Sequence, residues 1–198
     1  GRKLPQSPRG QGRPLRCTDR GTNESLRAFD LSSGQWQVLK LANRERRHLR
    51  MACCDAGVTL KRSPLGTQHF AHQAKGDCAT APETEAHLQL KRLAVDVARS
   101  MGWQAATEGP GEAPNGERWV ADVMATQGER KVAIEIQWSP LTAEQLLARQ
   151  ARYAQSGVFA LWLLRRSAPV NPLLAAATVE QLADGTYAAR WAGEADEF

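Results

Sequence analysis

The chain has 198 residues, 42% of them hydrophobic, so a buried core of ordinary domain size is available and global disorder is excluded. No apolar run approaches the roughly 18 residues of a membrane span, and no apolar stretch follows the basic N-terminus as a secretory leader would; the expected protein is soluble and cytoplasmic, with no membrane partner. The net charge of +5 falls within residues 1–22, where Arg2, Lys3, Arg9, Arg13, Arg16 and Arg20 face only Asp19, while acids and bases balance in the remainder.

Residues 1–22, rich in Pro and Gly, are expected to be a disordered basic tail; such a tail attracts phosphates without reading sequence. Residues 23–80 form a small Cys/His module. Within it 26–41 suggests strand and turn, with Ser32-Ser33-Gly34 as the turn and alternation over Trp36-Gln37-Val38-Leu39. The basic run Arg44, Arg46, Arg47, His48 and Arg50 fits a phosphate-contacting surface or a solvated helix. A short strand, Gly57–Lys61, and the segment His69-Phe70-Ala71-His72 complete the module.

Residues 81–166 alternate helix and strand. A helix capped by Thr80 or Thr84, with Pro82 in its first turn, presents Leu88, Leu90, Leu93, Ala94 and Val97 as its apolar face. A strand, Trp103–Glu108, leads into a Gly/Pro/Asn loop through Gly116; the strands Arg118–Ala125 and Arg130–Trp138 follow. A second helix spans 142–156 with Thr142 as its cap, and a buried strand covers Val158–Leu164. Residues 167–198 are a C-terminal extension in which Thr186–Trp191 fits an edge strand. This order predicts a mixed α/β fold with one hairpin.

The hairpin carries the chemistry. Gly128-Glu129 suits a two-residue type II′ turn, which favours Gly first. That register sets Thr126 opposite Lys131, Met124 opposite Ala133 and Asp122 opposite Glu135. Residues directly opposite share a face at roughly 5 Å between Cβ atoms. The period of two adds Gln137 to that face and turns Val132, Ile134 and Ile136 toward a core. Two adjacent carboxylates in an apolar sheet destabilise it unless neutralised, and a divalent cation such as Mg²⁺ accepts that donor set. Upstream, Glu83, His87 and Lys91 recur at i, i+4 and i+8, on one helix face.

Taken in order, these pieces resemble the PD-(D/E)xK nucleases, in which a helix carries Glu, the middle strand Asp, the next strand E-x-K, and a helix follows. Within that superfamily the chain is similar to the CoiA-like competence proteins. The matching residues are His69-Phe70-Ala71-His72, Glu83-Thr84-Glu85-Ala86-His87 with Lys91, Ala121-Asp122-Val123, Ile134-Glu135-Ile136-Gln137 with Ser139, Arg149 with Tyr153, and Trp162.

The resemblance implies a restriction-endonuclease-like αβββαβ core and Mg²⁺- or Mn²⁺-dependent hydrolysis of DNA during uptake or recombination, with recombination proteins as further partners. It implies a metal held by Asp122, Glu135 and Glu83, with the Ile136 carbonyl in support. Gln137 stands where the family motif has Lys; a neutral amide positions water but supplies no charge, which Lys91 would provide. His87, Arg149 and Tyr153 would contact the substrate phosphate.

The N-terminal module resembles a small zinc ribbon, but Met51 stands where the first Cys of a knuckle would fall. Two readings stay open there: a Zn²⁺ site made by Cys54, His69, His72 and Cys78, or a metal-free module with Cys53 in its core and a histidine bonded to backbone. For the whole chain the rivals to an enzyme are a nuclease fold that binds DNA or a recombination protein without cutting, and a zinc-dependent regulator.

Overall fold

The computed structural model describes residues 15–74, 84–138, 141–166 and 170–192. They fall into two compact units, divided between Gln89 and Leu90. The architecture is mixed α/β, with three α-helices and eleven strands among the described residues.

In the first unit β1 (Arg16–Asp19) lies between β2 (Ser25–Arg27) and β3 (Leu49–Met51), antiparallel to both. The expected tail is therefore shorter than 22 residues: Leu15 and Cys17 are fully buried in a cluster with Trp36, Leu49, Met51 and Phe70. The segment expected as strand and turn is instead a helix, α1 (Ser33–Arg46). Ser32 is its N-cap rather than a turn residue: its hydroxyl accepts from Gln35 N at 3.2 Å, and Gln35 Oε1 accepts from Ser32 N at 2.8 Å. This reciprocal box satisfies two orphan donors and overrides the local alternation. Trp36 and Asn43, seven residues apart, are the buried positions of α1.

The basic run is split. Arg44 and Arg46 end α1, Arg47 closes it with φ 47°, and Arg50 lies in β3. A second antiparallel pair, β4 (Val58–Arg62) with β5 (Gln68–His72), packs Phe70 on Trp36 at 5.1 Å between ring centroids. Asn43 ties the pieces together, donating to Val58 O (2.8 Å) and accepting from Leu49 N (3.0 Å).

The helix expected next is α2 (Glu85–Ser100), which crosses the division between the units. Thr84 caps it, accepting from His87 N at 3.3 Å; Thr80 and Pro82 lie outside the described residues.

The second unit is a six-stranded sheet in the order β11-β10-β9-β8-β7-β6. Its strands are β6 (Gln104–Glu112), β7 (Arg118–Gln127), β8 (Arg130–Gln137), β9 (Phe159–Arg165), β10 (Ala176–Gln181) and β11 (Tyr187–Trp191). The pairs β8/β9 and β9/β10 are parallel and the others antiparallel. The helix α3 (Ala143–Gln155) connects β8 to β9, and Thr142 forms its capping box with Gln145 as the sequence predicts.

The two faces of the sheet follow the period of two. Ala94, Val95 and Ala98 of α2 pack with Val123, Ala125 and Ile134. Tyr153 of α3 packs with Trp119, Ala133, Ala160 and Trp162 on the other side. Leu93 and Val97, expected in the core, are 42% and 48% exposed, because they line an open apolar hollow of about 370 Å³ beside Leu161, Leu163 and Tyr187. The C-terminal extension belongs to the sheet: β11 is the expected edge strand, and β10 was not foreseen.

The expected loop after Glu108 is also strand, since β6 continues to Glu112. Its glycines are contact residues: a Cβ on Gly109 would fall 2.3 Å from Met124 Cβ, and one on Gly111 would fall 2.1 Å from Trp119 Cζ2. Trp119 has little room to yield, because its indole N–H bonds Ser156 Oγ at 2.9 Å and its ring meets Tyr153 edge-on at 5.0 Å. We predict that Gly111→Ala costs about 1–3 kcal/mol by overpacking. A lowered urea midpoint at unchanged slope is the expected record, and a parent-like midpoint would disprove the close packing.

Candidate active site

The hairpin register is the one read from the sequence, with Met124 opposite Ala133 and Thr126 opposite Lys131. Gly128 has φ 59°, whereas Glu129 is not among the positive-φ residues, as a type II′ turn requires. Toward the far end the ladder stops at Val123 and Ile134. Beyond it, side chains take over the backbone bonding: Ile136 N donates to Asp122 Oδ2 at 2.9 Å, and Asp122 N donates to Glu135 Oε1 at 3.3 Å. The two acids thus lie beside each other and brace the strands they come from. Across β6, Glu108 adopts φ 52° between the paired residues Thr107 and Gly109, opposite this point.

Each carboxylate has a cation. Lys91 of α2, 2% exposed, places Nζ 3.2 Å from Asp122 Oδ1. Arg149 of α3 places Nη1 3.0 Å from Glu135 Oε2. Tyr153, one helical turn after Arg149 and buried, donates its hydroxyl to Glu135 Oε1. Glu135 itself is 1% exposed. Burial first, and the charge of Asp122 second, push its carboxyl up to about 7, against the opposing pull of Arg149, the Tyr153 hydroxyl and the Asp122 N–H. Burial and the Glu135 charge raise the Tyr153 phenol, so that it stays protonated and donates.

The structure therefore brings together Asp122, Glu135, Lys91, Arg149 and Tyr153. Arg149 and Tyr153 differ from expectation in role: both bind Glu135 directly, and the buried Tyr153 is a positioning residue rather than a surface for phosphate. Their spacing of i, i+4 in the helix after the second acid was the only sequence signal for this. Gln137, half-buried, follows Glu135 by two on β8. His87 lies half-buried in the first unit, and Glu83 and Ser139 are outside the described residues.

In the first unit Cys54 Sγ and His72 Nε2 are 3.1 Å apart. His69, three residues before His72 on a strand, points to the opposite face, with Nδ1 3.2 Å from Thr67 O. Cys78 is outside the described residues. Cys53, which the metal-free reading placed in the core, is exposed beside Cys54.

Residues 83–173 match the family model described as "Competence protein CoiA, nuclease-like domain". This segment is similar to the CoiA nuclease-like family. The match runs from α2 through β6, β7, β8 and α3 to β9, and so contains every residue of the acidic site. No curated protein matches the chain. Among solved structures, the chain is similar to the crystal structure of AF1548, a protein of unknown function, at 13% identity and a TM-score of 0.31, over 37% of this chain and 44% of that one. The CoiA nuclease-like segment makes up a little under half of the chain.

Proposed function

We propose that the second unit is a PD-(D/E)xK-type nuclease of restriction-endonuclease-like core, using Mg²⁺ or Mn²⁺ to hydrolyse DNA phosphodiesters during uptake or recombination. The observation that carries this reading is the convergence of Asp122 and Glu135 at one end of the β7/β8 hairpin, with Glu135 buried and its carboxyl raised. Such a donor set of carboxylate oxygens fits a hard divalent cation. Asp122 and Glu135 would hold it, with Glu83 and the Ile136 carbonyl as further donors. A cation there supplies an activated water and neutralises charge on the scissile phosphate.

The chain's own residues do the rest. Tyr153 fixes the rotamer of Glu135 from behind. Arg149 and Lys91, now on the carboxylates, are the cations available to phosphate oxygens once a metal takes up the negative charge. Gln137 orients water by hydrogen bonding, and Lys91 supplies the charge that the family motif takes from its own Lys. His87 is a further candidate for phosphate contact.

A second reading is favoured by one observation: Lys91 and Arg149 already neutralise both acids. On that reading the fold binds DNA or a recombination protein without cutting. The full chain incubated with labelled single-stranded and duplex DNA, with Mg²⁺, Mn²⁺ or chelator, separates the two. Cutting that needs the metal is expected. Folded protein that binds DNA and never cuts it would establish the binding module.

A further inference from the structure

We infer that Trp138 and Arg165 form a stacking platform for an unpaired nucleobase beside the acidic site, so that the strand held there is single-stranded DNA. The inference rests on the nuclease reading for the phosphate at the acids; what it adds is the base. The strands β8, β9 and β10 are parallel, so their carboxyl ends lie together, and ligands of open α/β sheets sit at such ends. The last rungs of the β8/β9 ladder are Ile136 with Leu163 and Gln137 with Leu164. The next step of that register sets Trp138 opposite Arg165. The guanidinium lies over the indole, 5.8 Å from the ring centroid.

This pair is more than the end of a core. Trp138 is only half-buried, packing with Leu163 and Tyr187 against Leu90, Ile136 and Val179. Tyr187 meets its ring edge-on at 6.4 Å and so holds its plane. Arg165 is exposed and has no carboxylate partner among the described residues, whereas its neighbour Arg166 is paired with Glu180. A cation resting on an indole marks an accessible, electron-rich face. A flat base can take that place while the guanidinium turns to the adjoining phosphate.

The platform is also close to the acids. Trp138 follows Glu135 by three residues, about 10 Å along the strand, within reach of the nucleotide next to a phosphate held there. Gln137 and Trp138 point to opposite faces, so DNA crossing the end of β8 meets the acids on one side and the indole on the other. The two sides join through α2: Leu90 packs in the cluster of Trp138, and the next residue, Lys91, reaches Asp122 at 3.2 Å. A base inside a duplex already has both faces stacked and must be unstacked at a cost before it can use Trp138. A single strand offers its bases freely, and every base has a π-face, so the platform selects strandedness and not sequence.

The test reads binding of the full chain in chelator, by fluorescence anisotropy, to labelled oligothymidylate, to the same oligomer with abasic sugars, and to duplex. The parent should bind oligothymidylate about tenfold more tightly than the abasic oligomer. Trp138→Leu keeps an apolar side chain against Leu90 and Leu163; it should lose about tenfold on oligothymidylate and nothing on the abasic oligomer. Trp138→Phe keeps a flat ring and should stay within about threefold of the parent. Arg165→Gln should weaken both oligomers alike. Circular dichroism of each variant checks the fold. Equal losses by Trp138→Leu on both oligomers overturn the platform, as does a folded Trp138→Leu that binds like the parent or a parent that prefers duplex. Because no cutting is read, the outcome is separable from the nuclease reading. A parent that shows the expected pattern and never cuts with Mg²⁺ or Mn²⁺ would end that reading and leave the platform standing. Metal-dependent cutting with parent-like binding by Trp138→Leu would do the reverse.

Discussion

On the proposed nuclease reading, Asp122→Ala and Glu135→Ala are each expected to lower metal-dependent DNA cleavage by about 100-fold or more. Each removes one of two adjacent anionic donors, and a metal that neutralises a phosphoryl transition state is worth several kcal/mol. The double variant should be little slower than either single one, since groups that hold one ion act as a unit. Asp122 has a second job, accepting from Ile136 N at 2.9 Å. Asp122→Asn separates the two, because an amide oxygen keeps that bond and loses the charge. It should melt like the parent and cleave like Asp122→Ala. Parent-like cleavage by folded Asp122→Asn would remove the carboxylate from the mechanism.

Glu135→Gln should be more stable than the parent in chelator at pH 8, by about 1–3 kcal/mol. The Glu135 carboxyl moves from its ordinary value of 4.5 to about 7 on folding. Between those values the folded chain holds a proton that the unfolded chain releases, so stability falls as pH rises. The contribution is fully present below about pH 4.5 and is lost by about pH 7, on the order of 3 kcal/mol in all. Gln mimics the protonated form at every pH and still accepts from Tyr153, while Arg149 loses its ionic partner. Added Mg²⁺ should reverse the order, stabilising the parent and not the variant. Thermal melts of both proteins at pH 5 and pH 8, with and without the metal, measure this. Glu180 and Asp184, whose carboxyls are lowered on the surface, titrate alike in both proteins and cancel in the comparison. A Glu135→Gln protein less stable than the parent at pH 8 in chelator would sink the claim that an ionised Glu135 opposes folding.

The second unit was more legible in the sequence than the first, for physical reasons. Strands β7, β8 and β9 carry long apolar patterns, and a glycine at the turn fixes the β7/β8 register, so the pairs from Gln127–Arg130 to Val123–Ile134 could be read residue by residue. Thr142 announced α3 through its own capping chemistry. In the first unit the same chemistry at Ser32 was overlooked because a Ser-Ser-Gly sequence also suits a turn, and only Trp36 and Asn43 of α1 are buried. Gly109 and Gly111 suggested a loop, yet they serve a close approach to Met124 and Trp119, which lie fifteen and eight positions further along the chain on the neighbouring strand. Arg149 and Tyr153 were found, but their partner was not, since no spacing along the chain reports which way a helix faces once it docks.

The two-residue turn at Gly128-Glu129 lies about 20 Å along the strands from Glu135, at roughly 3.4 Å per residue. The strand segments between the turn and the acids act as a ruler. Their side chains can change with modest effect wherever volume and polarity are kept. Their length cannot, because one residue removed between Arg130 and Ile134 would carry Glu135 to the face now held by Ile134, away from Arg149 and Tyr153. Extra residues at the turn itself only lengthen a loop. Natural or engineered length variation should therefore collect at 128–129 and be absent from the two arms.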